Sequence, residues 1–191
     1  MEDKKIASVE VKLTNIKVPI WRQIEVPFYI TLHQLHEIIQ KAMGWNNAHL
    51  YYFKIAGINY DINDEDMLDL SNDIDSRETK LADIWDKEKH CVYTYDFGDD
   101  WKHEVFFKKI IAAEDGVKYP RCFKGAGKCP PEDIGGNAGY EDLLKAINNP
   151  HSPERQRYAD WLDWSEEDFS NFNPEYFDVE EVNQRINTLL I

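Results

Sequence analysis

The sequence predicts an α+β fold: a single compact domain, residues 1–191, with a mainly antiparallel sheet built from hairpins and packed with about four to five helices. Several segments alternate apolar and polar residues with a period of two, which is typical of half-buried strands. Turn-forming residues separate neighbouring strand segments, as they do in hairpins. Other segments repeat apolar residues at helical spacing.

The N-terminal part predicts a hairpin followed by a helix. Residues 6–13 and 20–26 alternate in polarity around a turn, so we expect two paired strands. Thr31 and Gln34 then match a capping box, and apolar residues follow on one helical face. Gly44 is placed to end this helix.

The next part contains a short hairpin and an acidic segment. Residues 49–60 predict two strands around a turn at Ala56 and Gly57. Residues 61–78 predict an acidic surface insertion. Their alternating acidic residues resemble a calcium loop, but glycine and glutamate are missing where an EF-hand requires them, so we interpret the segment as a solvated loop. A short helix is expected at 79–86.

The stretch YTYDFGDDWKHEV, residues 93–105, predicts a further hairpin. Its aromatic residues alternate, and we expect Tyr93, Tyr95 and Phe97 to lie in the core. Gly98 and the aspartates around it are turn-forming residues. The tip therefore carries three carboxylates, Asp96, Asp99 and Asp100.

Residues 119–139 contain five glycines and three prolines. A long irregular segment of this kind in a compact domain is often functional, so we expect a Gly/Pro-rich loop. Three helices are predicted after it, beginning near Tyr140, Ser152 and Asp178.

Charge and composition limit the classes of function. The net charge is −14, which disfavours non-specific binding to nucleic acid. No apolar run approaches the ~20 residues of a membrane span, and the first residues do not resemble a signal peptide, so we expect no membrane association and a cytoplasmic location. Three cysteines do not indicate a disulfide framework.

The hairpin tip and the Gly/Pro-rich loop supply the candidate site residues. The binding set is Asp96, Asp99, Asp100, Trp101, Lys102, His103, Glu132 and Asp133. A divalent metal ion is a possible cofactor, because oxygen ligands with one histidine suit Mg, Mn or Fe. The metal set is Asp96, Asp100, His103, Cys122 and Cys129. The two cysteines with His103 would instead suit zinc, although their spacing is wider than is usual for a zinc site. A purely structural role of these residues stays open beside a binding or metal role. Turn aspartates often cap backbone N–H groups, and Trp101 is a core candidate.

Two functions of different classes follow. The first is a non-catalytic binding module whose partner, an unknown protein or small molecule, docks where the hairpin tip meets the 119–139 loop. The second is a small metal-dependent hydrolase acting on a phosphate-containing substrate, with Lys102, Lys124 and Lys128 neutralising its charge. No arrangement of a nucleophile with a base is recognisable, which favours the first.

Four motifs carry a family resemblance: YTYDFGDDWKHEV, YPRCFKGAGKCPPEDIGGNAGY, LHEIIQKAMGW followed by HL, and NPEYFDVEEVNQRI. They resemble the plasmid pRiA4b ORF-3-like family over nearly the whole chain. The resemblance implies a compact prokaryotic α+β domain from a largely uncharacterised family, in which some members are associated with mobile elements and carry a resolvase label. This chain has six arginines and a strong negative charge, which argue against that label.

Overall fold

One sheet of eight strands forms the centre of the structure, a computed structural model that describes residues 4–62 and 73–191. The strands are β1 (Lys5–Leu13), β2 (Trp21–Pro27), β3 (Tyr51–Ile55), β4 (Ile58–Asp61), β5 (Ile74–Asp75), β6 (His90–Tyr95), β7 (Trp101–Ala112) and β8 (Arg121–Ala126). Their order is β5-β4-β3-β6-β7-β1-β2-β8, and only the β4–β5 pair is parallel. The predicted α+β class and the mainly antiparallel sheet are confirmed.

The described residues form six helices, one more than the sequence predicts at most. They are α1 (Leu32–Met43), α2 (Leu81–Ile84), α3 (Gly136–Asn148), α4 (Pro153–Leu162), α5 (Glu166–Asn171) and α6 (Val179–Ile186). The additional helix is α5, which is only six residues long and buries one side chain, Phe169. So short a helix shows no apolar period in the sequence.

The predicted caps of α1 are confirmed. The Thr31 hydroxyl accepts the Gln34 N–H at 3.1 Å, and the Gln34 side-chain oxygen accepts the Thr31 N–H at 3.0 Å. Gly44 ends the helix in the left-handed conformation at φ 96°, which a glycine adopts without steric cost. The apolar face of α1 is buried in the main core.

A polar network lies beneath α1. His36 Nδ1 is 2.7 Å from the Tyr93 hydroxyl, and His36 Nε2 is 2.7 Å from Asn47 Oδ1. Because an amide oxygen only accepts, Nε2 carries the proton and Nδ1 accepts from Tyr93. Gln40 donates to the same hydroxyl at 2.9 Å. Burial lowers the pKa of His36 to about 3, which agrees with a neutral imidazole.

Three predictions about segments need correction or limitation. Residues 119–139 are not one irregular loop, because β8 occupies their first part and α3 begins at Gly136. The aromatic Phe97 is half-exposed and lies outside the core, unlike Tyr93 and Tyr95. Most of the predicted acidic insertion at 61–78, including its calcium-like spacing, lies outside the described residues.

No helix in 4–62 or 73–191 is long and apolar enough to cross a membrane.

The outer edge of β8 is occupied by α6. Asn183 Oδ1 accepts the Cys122 N–H at 2.7 Å, and Asn183 Nδ2 donates to the Cys122 carbonyl at 2.8 Å. One side chain therefore makes both hydrogen bonds that a neighbouring strand would make at that residue.

Candidate functional site

The hairpin between β6 and β7 is closed by Asp96. Its Oδ1 accepts the N–H groups of Gly98 at 2.8 Å and Asp99 at 3.2 Å, and its backbone lies at φ 57°. Aspartate is one of the few residues that adopts this left-handed conformation, because its side chain bonds the local backbone. Asp96 is only 6% exposed.

Asp99 attaches the loop after β8 to this hairpin. Its carboxylate accepts the Ile134 N–H at 3.0 Å and the Gly135 N–H at 3.1 Å. Gly136 sits at φ +64°, where a Cβ atom would overlap the Asp99 carbonyl oxygen. The Gly-Asp-Asp turn and the Ile-Gly-Gly segment therefore pack directly against each other. This contact accounts for the aspartate in the first motif and the glycines in the second, which are distant in the sequence.

Three ligand-type atoms converge beside this interface. His49 Nε2 lies 2.8 Å from Asp133 Oδ1 and 3.6 Å from Asp96 Oδ2, and the three atoms are all within 4.8 Å of one another. His49 precedes β3, Asp96 follows β6, and Asp133 lies in the loop before α3. Three separate segments of the chain thus meet at one polar point.

Glu132 binds the backbone of the segment that carries His49. Its Oε1 accepts the Asn46 N–H at 2.7 Å and lies 3.2 Å from the Tyr95 hydroxyl, which donates to it. The Tyr95 hydroxyl in turn accepts the Ala48 N–H at 3.0 Å. Burial raises the pKa of Tyr95, and the charge of Glu132 raises it further, so the phenol keeps its proton.

The structure places two of the predicted binding residues in the core. Trp101 and His103 are fully buried on β7, where both rings lie near Trp45. Burial lowers the pKa of His103 to about 3, so this imidazole is neutral. The prediction that both belong to a surface site is corrected. The alternation of β7, one residue in and one out, turns them inward.

Asp100 and Lys102 remain at the surface, but they pair with each other. Lys102 Nζ lies 2.5 Å from Asp100 Oδ2, and this hydrogen bond raises the pKa of the lysine. Both side chains are about half exposed. Asp100 is not part of the converging group of ligand atoms.

The two cysteines of the predicted metal set also lie elsewhere. Burial raises the pKa of Cys122 to about 11 and that of Cys129 to about 12, so both keep their protons at neutral pH. The positive charge of Arg22 opposes this rise in pKa at both thiols without cancelling it. Within the described ranges, neither cysteine nor His103 joins a group of three ligand atoms. Of the five residues of the predicted metal set, the structure therefore places Asp96 alone in the converging group.

The sequence did not identify His49 as a site residue. A single histidine in a loop has no spacing that marks it as a ligand. The one signal was the His-Leu pair after the first helix, which belongs to the motifs of the family resemblance.

A groove of about 640 Å³ opens next to the converging side chains. Its apolar lining comes from Ile134, Tyr158 and Trp161, and Asp133 forms part of its wall. Trp161 is 64% exposed, although its indole N–H is fixed by a 2.8 Å hydrogen bond to the Asp133 carbonyl oxygen. The remaining charged lining residues are Asp142, Arg157 and Asp160.

Comparison with known proteins identifies the family. The family model for the plasmid pRiA4b ORF-3-like protein matches residues 5–181. The uncharacterized protein y4hQ of Sinorhizobium fredii (strain NBRC 101917 / NGR234) is 35% identical over 161 residues, which cover 83% of this chain and 80% of that protein. The crystal structure of MM3350, a protein of unknown function from Methanosarcina mazei Go1, has a TM-score of 0.80 at 32% identity. The match covers 93% of this chain and 97% of that one. The chain therefore belongs to the plasmid pRiA4b ORF-3-like family, as its motifs predicted.

Proposed function

We propose that this protein is a non-catalytic binding module that holds a basic segment of a partner protein in the groove beside the hairpin tip. The observation that carries the proposal is Trp161, a large aromatic side chain that is exposed yet held in place. Exposed tryptophan that is already ordered loses little conformational entropy when a ligand covers it. Such residues are characteristic of binding hot spots.

The charge of the groove favours a cationic ligand. Three carboxylates, Asp133, Asp142 and Asp160, line it together with one guanidinium, Arg157, whose charge is paired with Glu154 at 2.9 Å. The surrounding sequence, residues 132–191, holds 14 acidic and 4 basic residues. A Lys or Arg side chain would lie against the face of Trp161 with carboxylates around it, which combines cation–π attraction with charge pairing.

The carboxylates of the groove are available to a ligand. Asp142 pairs with Lys145 at 2.6 Å and Asp160 accepts from Gln156 at 2.7 Å, and both contacts are solvent-exposed. Solvent screens exposed pairs of this kind, so a ligand cation can replace them at small cost.

The residues that the hydrolase hypothesis requires are less favourably placed. Lys124 lies over the Trp21 ring and Lys128 over the Phe172 ring. Asp99 is engaged in holding the loop. These contacts assign stabilising roles to side chains that catalysis would need, which favours binding as the function of the site.

Fluorescence anisotropy tests the proposal directly. A labelled peptide rich in Lys and Arg is titrated with the protein, and a peptide of the same length rich in Glu serves as the negative control. We expect saturable binding of the basic peptide that weakens with added salt, since charge pairs contribute to it. No binding of the basic peptide, or equal binding of the acidic one, would refute the proposal.

Variants and a competitor locate the site and identify the kind of ligand. Trp161→Ala should weaken peptide binding by about tenfold, because the cation–π contact contributes about 1–2 kcal/mol. The matched control is Phe123→Ala, which removes another exposed aromatic ring from the surface of β8. Spermidine is the competitor. Binding of spermidine without binding of the peptide would mean a small polyamine ligand and would exclude a protein partner.

A further inference from the structure

We propose that His49, Asp96 and Asp133 form a binding site for a divalent transition-metal ion, with Zn²⁺ or Mn²⁺ as the fitting class. The inference concerns the converging ligand atoms, of which Asp133 alone also lines the groove. One imidazole nitrogen and two carboxylate oxygens make a donor set of intermediate softness, which suits these ions better than Ca²⁺ or Mg²⁺.

The distances between the ligand atoms fit a bound ion. Zinc bonds to nitrogen and oxygen of about 2.0–2.2 Å at tetrahedral angles place two ligand atoms about 3.4 Å apart. The observed separations from His49 Nε2 are 2.8 Å to Asp133 Oδ1 and 3.6 Å to Asp96 Oδ2. One separation is shorter than this value and the other slightly longer, so small side-chain rotations would place the three atoms around one ion.

His49 supplies an independent observation that favours a metal ligand at this point. Its Nε2 atom is buried, and no group in the described part of the chain forms a hydrogen bond with it, although Asp133 Oδ1 is only 2.8 Å away. The two atoms are close without the direction that a hydrogen bond requires. A buried polar atom without a partner is costly, and a metal ion would satisfy it.

Asp96 supplies a second sign. Its side chain is more than nine-tenths buried, and the N–H groups of Gly98 and Asp99 satisfy its Oδ1. Oδ2 has no hydrogen-bond donor among the described residues and faces the imidazole at 3.6 Å. A buried carboxylate with one oxygen bonded to the backbone and the other directed at a histidine is arranged as a metal ligand, with its orientation already fixed.

The other two ligands are also held in position. The His49 ring packs edge-on against Tyr95, with ring centroids 5.9 Å apart. Asp133 has a left-handed backbone at φ 54°, and its carbonyl accepts the Trp161 N–H.

The alternative is an ordinary ion pair between a protonated His49 and the two aspartates. The chain offers a matched control for it. His90 Nε2 lies 3.9 Å from Glu104 Oε1 at another part of the surface, and this pair lacks a third ligand atom. A site that depends on three converging atoms should lose its metal when His49 is replaced and keep it when His90 is replaced.

The test is calorimetric titration of the EDTA-treated full-length protein with ZnCl₂ and, separately, MnCl₂. We expect one equivalent of metal to bind the wild-type protein. His49→Ala and Asp133→Asn should each weaken binding by about tenfold or more, and His90→Ala should not change it. Circular dichroism confirms that each variant is folded. Asp133→Asn keeps the test valid if His49→Ala does not fold, because the Asp133 side chain is half-exposed.

Co²⁺ absorption separates this site from the cysteines. A tetrahedral Co²⁺ with nitrogen and oxygen ligands gives only visible bands, whereas a thiolate ligand adds an intense near-ultraviolet band. Absence of metal binding, equal binding by His49→Ala and wild type, or a thiolate band would each overturn the inference. Loss of metal binding in His49→Ala with intact peptide binding would leave the proposed function unaffected, because His49 does not line the groove. Loss of peptide binding in Trp161→Ala with intact metal binding would leave the metal site unaffected.

Discussion

Acidification from pH 7 to pH 5 should destabilise the folded protein by about 4 kcal/mol through two buried histidines. His36 and His103 each have a folded-state pKa of about 3, against about 6.5 in the unfolded chain. A lowered pKa means that the stability is complete above pH 6.5 and is lost as the pH falls towards 3. At pH 5 the unfolded chain is protonated at both sites and the folded protein is not, which costs about 2 kcal/mol for each histidine.

Urea unfolding at pH 7.0, 6.0 and 5.0 measures this loss of unfolding free energy. His103→Leu should reduce the loss to about 2 kcal/mol, because one of the two titrating groups is removed. His103 is the better position to change, since its ring nitrogens bond no other side chain within the described residues, whereas His36 bonds Tyr93 and Asn47. The exposed His151 provides the control variant His151→Gln. A wild-type loss below about 1 kcal/mol, or an unchanged loss in His103→Leu, would refute the reasoning.

Three further predictions concern the turns and caps. Gly136→Ala should cost more than about 1–2 kcal/mol of unfolding free energy, because a left-handed backbone and a steric overlap act together; Gly116→Ala, at φ +78° in open space, shows the backbone part alone, and equal losses in urea would contradict the overlap. Asp99→Ala should cost about 1.5–3 kcal/mol and speed hydrogen exchange at the loop amides that the carboxylate binds; unchanged exchange would exclude this role. Thr31→Ala should lower stability by about 1 kcal/mol in thermal unfolding, and a neutral result would show that the cap is dispensable.

The parts of the fold that the sequence predicted are those determined by local patterns. The β1–β2 hairpin follows from alternating polarity, and the ends of α1 follow from Thr31 and Gly44. The core was predicted where alternation was regular, as at Tyr93 and Tyr95. Phe97 lies outside the core because the strand ends at Tyr95 and the left-handed Asp96 changes the direction of the chain.

The candidate site was predicted only in part, because contacts between distant segments assemble it. Asp96 and Asp133 were chosen as polar residues of two motifs, and the structure places them beside one another. His49 comes from a third segment whose position depends on Glu132 bonding the backbone of Asn46. His103 was misplaced because it was grouped with the polar residues of the turn, although it shares the buried face of β7 with Trp101, Val105 and Phe107.

The Asn183 side chain at the edge of β8 limits how a partner protein is recognised. Many binding domains capture a peptide by strand addition, in which the ligand extends the sheet through main-chain hydrogen bonds. At Cys122 those bonds are already made by Asn183, so a peptide cannot add to the sheet at this residue without displacing α6. Recognition in the groove at Trp161 would instead depend on the side chains of the partner protein. The same Asn183 hydrogen bonds also oppose pairing of the β8 edge with other copies of the chain at this residue.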